Sequence, residues 1–211
     1  MTCMDLARAE RADLLALLTD LAPHQWDSPT LCTGWRVRDV VAHMISYEGL
    51  DRREVYRRFV RARFSPGRAN DIGVAELRDA GPAELIALLE QRLEPSGLTT
   101  GFGGRVALLD GMIHQQDIRR PLGAMRTIPA ERLLPALSFA RFAPPIRAFW
   151  RARGLRLIAT DLDWSAGRGP EVRGPAEPLL MAIAGRRGVV HELSGPGQTT
   201  LSARIGSGGV H

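Results

Sequence analysis

Apolar residues recur at helical spacing through the first two-thirds of the chain. Leu6, Leu14, Leu15, Leu17, Leu18 and Leu21 lie at helical spacing, predicting a first helix over residues 5–21 that ends at Pro23. Asp27-Ser28-Pro29-Thr30 reads as a turn. Val37, Val40, Val41, Met44 and Ile45 mark a second helix, capped by Thr33 and running from Trp35 to about Arg63. Ser65-Pro66-Gly67 stops it, and a loop is expected to Ala80. Pro82 is placed to open a third helix, through about Leu93. Val106, Leu109, Met112 and Ile113 face the packing side of a fourth, from Gly104 to Arg120. A fifth follows over residues 130–151, which Pro144-Pro145 must kink or split. Helices of this length joined by short connections predict a helix bundle.

The period changes after Gly154. Leu155 to Thr160 alternates as a strand does, and residues 163–170 read as a turn. Glu171-Val172-Arg173 suits a second short strand, Pro175 opens a compact helix through Ala184, and Thr199 to Ile205 suggests a third strand. The glycine-rich stretch from Gly206 to Gly209 reads as a flexible tail. The expected architecture is therefore a bundle of four or five helices over residues 1–151 followed by a small α+β domain over residues 152–211.

Composition narrows the function classes. The chain has 211 residues, enough to bury a substantial core, and no apolar run approaches the ~20 residues that span a bilayer. The N-terminus carries acids early and no basic-then-apolar leader, so the expected location is the cytoplasm, with no membrane partner. Cys3 and Cys32 are too few for a disulfide framework or a cysteine-rich zinc site. The net charge of +5 comes with 28 arginines and no lysine, alongside abundant Ala, Gly and Pro. This combination reads as the mark of a GC-rich genome, which weakens the argument from basicity, and no nucleic-acid partner is expected. The arginines of residues 52–63 alternate with Asp51 and Glu54, as on a solvated helix surface, and no recognition-helix or zinc-finger spacing accompanies them.

The candidate chemistry sits on the fourth helix. Asp110 and His114 are four residues apart and Asp117 is three further on, so they stack along one helix face. A carboxylate and an imidazole one turn apart can share a divalent cation such as Zn2+. His43, in the stripe Val40, His43, Tyr47 and Leu50 of the second helix, is a third candidate ligand. The trio would make a site of two histidines and one carboxylate with one open position, the arrangement of catalytic rather than structural zinc. On spacing alone, a solvated polar face explains the Asp110–His114 pair, which is common by chance on helices. Asp117 is either a further ligand or a residue that orients His114 or pairs with Arg119 or Arg120. Cys32, ahead of the second helix, reads as a buried structural cysteine or a reactive thiol. His24, His191 and His211 have no ligand partner at useful spacing.

The run Trp26 to His43 (WDSPTLCTGWRVRDVVAH) and the run Asp110 to Gly123 (DGMIHQQDIRRPLG) resemble the two signatures of the mycothiol-dependent maleylpyruvate isomerase family, within the DinB-like superfamily. Ala159 to Trp164, Gly174 to Glu177 and Ala184 to Arg186 resemble the small C-terminal domain of many members. The resemblance implies a DinB-like four-helix bundle holding a divalent metal, usually zinc, through His43, Asp110 and His114. Asp110 stands where the isomerase has a glutamate, one methylene longer. It implies mycothiol as thiol cosubstrate, an actinobacterial source in keeping with the codon bias, and a monomer or homodimer acting on a small electrophile. The expected chemistry is isomerase or transferase: a thiolate, its pKa lowered by the metal, adds to an electrophilic carbon. Arg119 and Arg120 are the candidates for holding substrate carboxylates. The alternative is a bundle that keeps the metal but binds a small molecule or serves in stress response without turnover.

Overall fold

The computed structural model describes residues 1–206, and they fall into two compact units divided between Arg126 and Thr127. The change from helical to strand-forming sequence, near residue 151, thus lies inside the second compact unit.

In the first unit, helices α1 (Cys3–Thr19), α2 (Val37–Ser46), α5 (Pro82–Gln91) and α6 (Arg105–Arg119) form a four-helix bundle. Helix α1 packs on α6 and α5, and α2 packs on the same two from the other side. Leu14, Leu18, Val37, Val40, Val41, Ile45, Leu85, Leu89 and Ile118 fill the space between them, with Trp26 closing one end. The four-apart spacing of these side chains is what makes each helix bury one stripe. Thr2 caps α1 in a box with Asp5, each side chain taking the other's backbone N–H.

The long second helix expected from the sequence is divided. It starts at Val37, not at Trp35, and Thr33 does not cap it; Asp39 instead accepts from the Arg36 N–H at 2.9 Å. It stops at Ser46, Gly49 turns the chain at φ +76°, and Asp51 starts helix α3 (Arg52–Arg61) with a capping box to Glu54. The expected loop to Ala80 is largely helix α4 (Pro66–Glu76), capped by Ser65 with proline at its first position. Helix α4 lies on α2, and Gly73 allows it close: a Cβ there would meet Ser46 Oγ at 2.4 Å.

The second unit centres on helix α9 (Ala176–Ile183), which is buried along most of its length. Around it lie α7 (Ala130–Ala140), the short α8 (Ala148–Ala152), α10 (Gln198–Gly206) and a three-stranded sheet. The expected fifth helix is split near Pro144, where a 3-10 turn spans Pro144–Ile146. The sheet runs β2 (Ser165–Gly167), β1 (Arg156–Ala159), β3 (Glu171–Gly174), with β1 antiparallel to β2 and parallel to β3. Leu157, Ala166 and Val172 share its buried face. Two expectations are corrected here. Part of the stretch read as a turn over 163–170 is strand β2. Thr199–Ile205 is helix, because its buried residues Leu201 and Ile205 are four apart, not two. The expected flexible tail lies, from Ser207 on, outside the described residues. No helix among those described is long and apolar enough to cross a membrane.

Candidate metal centre

Helices α2 and α6 cross so that His43 of one meets Asp110 and His114 of the other. Asp110 and His114 are one turn apart, and the Asp110 Oδ1 lies 3.5 Å from His114 Nε2 and 3.8 Å from His43 Nε2. The two imidazoles stand edge to face, ring centroids 4.8 Å apart at 79°. The three ligand atoms lie within 4.8 Å of one another. Both N···O separations exceed the ~2.7–3.2 Å of a good hydrogen bond. They match the edges of a coordination shell instead, since a tetrahedral cation with bonds of ~2.0–2.1 Å holds its ligand atoms about 3.4 Å apart. The donor set of two nitrogens and one oxygen, with both nitrogens turned to one carboxylate oxygen, fits a divalent cation.

The back of His114 is arranged differently. Its Nδ1 lies 3.0 Å from Asp117 Oδ2, and the Cys32 thiol donates to that same oxygen at 3.0 Å. Cys32 Sγ is 3.7 Å from the imidazole nitrogen. These are hydrogen-bond lengths. Asp117 is fully buried, so its carboxyl group depends on such bonds, and it faces the Nδ1 side of His114. That leaves Nε2 to face Asp110 and His43.

Exposure grades across the cluster. The side chains of His43 and His114 are 8% and 12% exposed, while Asp110 is 37% exposed and forms the open side. Trp35 and Tyr47 flank His43, with ring centroids 5.1 Å and 5.8 Å from the imidazole. The Tyr47 hydroxyl donates to Asn70 of α4 at 2.9 Å, and the Arg58 guanidinium sits 4.8 Å over the Tyr47 ring.

Charge is tuned accordingly. Burial pushes the Asp110 carboxyl upward, but the pull of His114, then of His43 and Arg11, overrides it and holds Asp110 at about 2. Burial likewise favours neutral His114, but the Asp110 charge and then the bonds to Asp117 and Cys32 keep it well above the usual imidazole value.

The two arginines expected at a substrate lie at the end of α6. Arg119 gives its guanidinium to Gln115 Oε1 at 2.8 Å and to the carbonyls of Ala124 and Asp13, both at 3.2 Å. Meeting a substrate carboxylate would cost it those bonds. Arg120 is half-buried at the helix C-cap.

Residues 7–95 match the model of the mycothiol maleylpyruvate isomerase N-terminal domain. Over these residues the chain is similar to that family's domain. Crystal structures of the mycothiol-dependent maleylpyruvate isomerase and of one of its mutants are similar to the chain at 18% and 19% identity. Each covers 92% of this chain and 91% of its own, with a TM-score of 0.59, a likeness of fold. No protein of curated function matches the chain. The mycothiol maleylpyruvate isomerase N-terminal domain as matched supplies His43, Cys32 and Trp35, whereas Asp110, His114 and Asp117 lie on α6, beyond the match.

Sequence reasoning missed other buried polar residues that hold this frame. Glu48, at the end of α2, pairs with Arg11 of α1 and accepts from Ser96 and Thr99. Glu10 of α1 pairs with Arg126 and accepts from Gln115 of α6. Glu10 and Arg11 are buried charged residues on α1, while their partners Arg126 and Glu48 lie outside the helices and carry no local signal.

Proposed function

We propose that this chain is a metal-dependent enzyme of the isomerase or transferase class, using mycothiol on a small electrophilic substrate. The observation that supports it most is the meeting of His43 Nε2, His114 Nε2 and Asp110 Oδ1 at coordination spacing, with one side open. The family match over residues 7–95 and the names of the two similar crystal structures supply the thiol and the reaction class.

His43, Asp110 and His114 would hold the cation. When bound, a divalent cation such as Zn2+ supplies Lewis acidity that lowers the pKa of a thiol sharing the site. The protein's own groups do the rest. Asp117 keeps the Nδ1 proton on His114, so Nε2 presents its lone pair. Trp35 and Tyr47 wall one side of the imidazoles and limit water there. Asp110, ionised at neutral pH, contributes a negative charge that two imidazoles alone would lack, and its exposed edge marks where small molecules enter. A thiolate that adds to a conjugated cis double bond leaves a rotatable single bond, and its expulsion restores the alkene as trans. The transferase outcome is a retained thioether, formed either when the adduct carbanion takes a proton instead of expelling the thiolate or when the thiolate displaces a leaving group such as chloride. Holding thiol and electrophile together is the main contribution the protein makes to either path.

The test is incubation of Zn2+-loaded protein with mycothiol and either maleylpyruvate or monochlorobimane. Catalysed isomerisation or adduct formation, lost in His114→Ala, is expected. Retained metal with neither product above background overturns turnover and leaves a metal-holding binding protein.

A further inference from the structure

One loop touches both histidines. In the segment from Thr30 to Trp35, the Leu31 N–H donates to the Asp117 carbonyl at 3.1 Å, tying the loop to α6 by main chain. Thr30 Oγ1 accepts from the Cys32 N–H at 3.2 Å, and the Thr30 N–H donates to the Trp35 carbonyl at 3.2 Å, fixing the loop's own shape. From this frame Trp35 lies against His43, and Cys32 reaches the far face of His114.

We propose that Cys32 is a positioning residue for His114, acting through Asp117. This deepens the metal-centre reading and rests on it for its consequence, though not for its geometry. The Cys32 thiol and His114 Nδ1 converge on a single oxygen, Asp117 Oδ2, each at 3.0 Å. Asp117 has no exposed surface in the intact protein, so its bonds come from protein donors such as the thiol and not from bulk solvent. With the thiol bond in place, that oxygen is held against Nδ1, and its bond to the ring restrains turning about the Cβ–Cγ bond. Without it, the carboxylate rotamer is less restrained, and the ring follows. The thiol therefore serves as a hydrogen-bond donor. The nucleophile of the proposed reaction is brought by the cosubstrate, and the Cys32 sulfur plays no part in bond making.

Serine preserves the donor and alanine removes it, so the two variants separate this role from packing. Two measurements are made on Cys32→Ser, Cys32→Ala and wild type. The first is the proton resonance of His114 Nδ1–H in metal-free protein, assigned with His114→Gln. It is expected to be sheltered in wild type and Cys32→Ser and lost to exchange with water in Cys32→Ala. The second is Co2+ affinity by chelator competition, with the visible spectrum reporting the coordination shell. A fall of about 10-fold or more is expected in Cys32→Ala and recovery to near wild type in Cys32→Ser. An unchanged proton resonance in Cys32→Ala overturns the proposal, as does equal loss in both variants. Wild-type protein that takes up no Co2+ overturns the metal reading instead, and the proton resonance then decides the role of Cys32 by itself.

Discussion

His114 and Asp117 stand one helical turn apart on α6, and the 3.0 Å contact between Nδ1 and Oδ2 decides which imidazole nitrogen faces Asp110. The carboxylate is fully buried and the imidazole nearly so, so the contact is unscreened by solvent. Asp117→Asn keeps the shape and removes the charge. We expect metal affinity to fall by about 10- to 100-fold, as for other residues behind a histidine ligand. Competition with a chelator measures it, and wild-type affinity would show that His114 needs no such partner.

His43 and His114 come from different helices, so neither can substitute for the other. His43→Ala and His114→Ala are each expected to abolish metal retention through gel filtration, read by elemental analysis. Asp110→Asn should lower retention while leaving the fold intact, because its side chain is partly exposed and the amide keeps its shape. Full occupancy in the His43→Ala/His114→Ala double variant would remove the assignment.

That Asp110, His114 and Asp117 share one helix face was legible because helical spacing is short-range information. Asp110, His114 and Asp117 had to share a face once α6 was a helix, and α6 was announced by its apolar stripe. The boundaries of α2 and α3 were harder, since apolar period alone does not register a break. The signals were present: Gly49, then Asp51 and Glu54 at capping-box spacing. Likewise Ser65-Pro66 both ends one helix and caps the next. The Cys32–Asp117 bond joins positions 85 residues apart and leaves no local pattern. The helix over Thr199–Ile205 was misread because a short, polar segment with two apolar residues is decided by what it packs on.

The Arg11–Glu48 pair is a second frame for the site, joining α1 to the end of α2. Both side chains are buried, and Glu48 also accepts from the Ser96 N–H at 2.7 Å and Thr99 Oγ1 at 2.7 Å. Glu48→Ala would leave the Arg11 guanidinium charged and buried, with the Arg92 carbonyl still accepting from it at 2.7 Å. Loss of one partner of a buried pair costs about 3–5 kcal/mol. Urea denaturation of metal-free protein should show a loss of this size, and a smaller one in Arg11→Met/Glu48→Leu, where no charge is stranded. Equal losses would mean that packing, not charge, dominates.

Metal uptake should depend on pH with a definite sign. Asp110, held at about 2, is ionised throughout the neutral range and contributes no dependence there. His114, held well above the usual imidazole value, is protonated at neutral pH in the metal-free protein and must lose that proton to offer Nε2. Affinity for Zn2+ should therefore rise about tenfold per pH unit through the neutral range, then level once pH passes the His114 value. The metal-free fold shows the converse. A raised imidazole contributes stability that is complete below its unfolded value of 6.5 and lost as pH climbs through the folded one. Asp110 contributes stability present above its unfolded value of 3.8 and lost as pH falls through about 2. Calorimetric titration in buffers of different ionisation enthalpy counts the released proton directly. Uptake of Zn2+ with no proton release at pH 7 would mean that His114 is already neutral, and that the ion pair with Asp110 does not form in the metal-free protein.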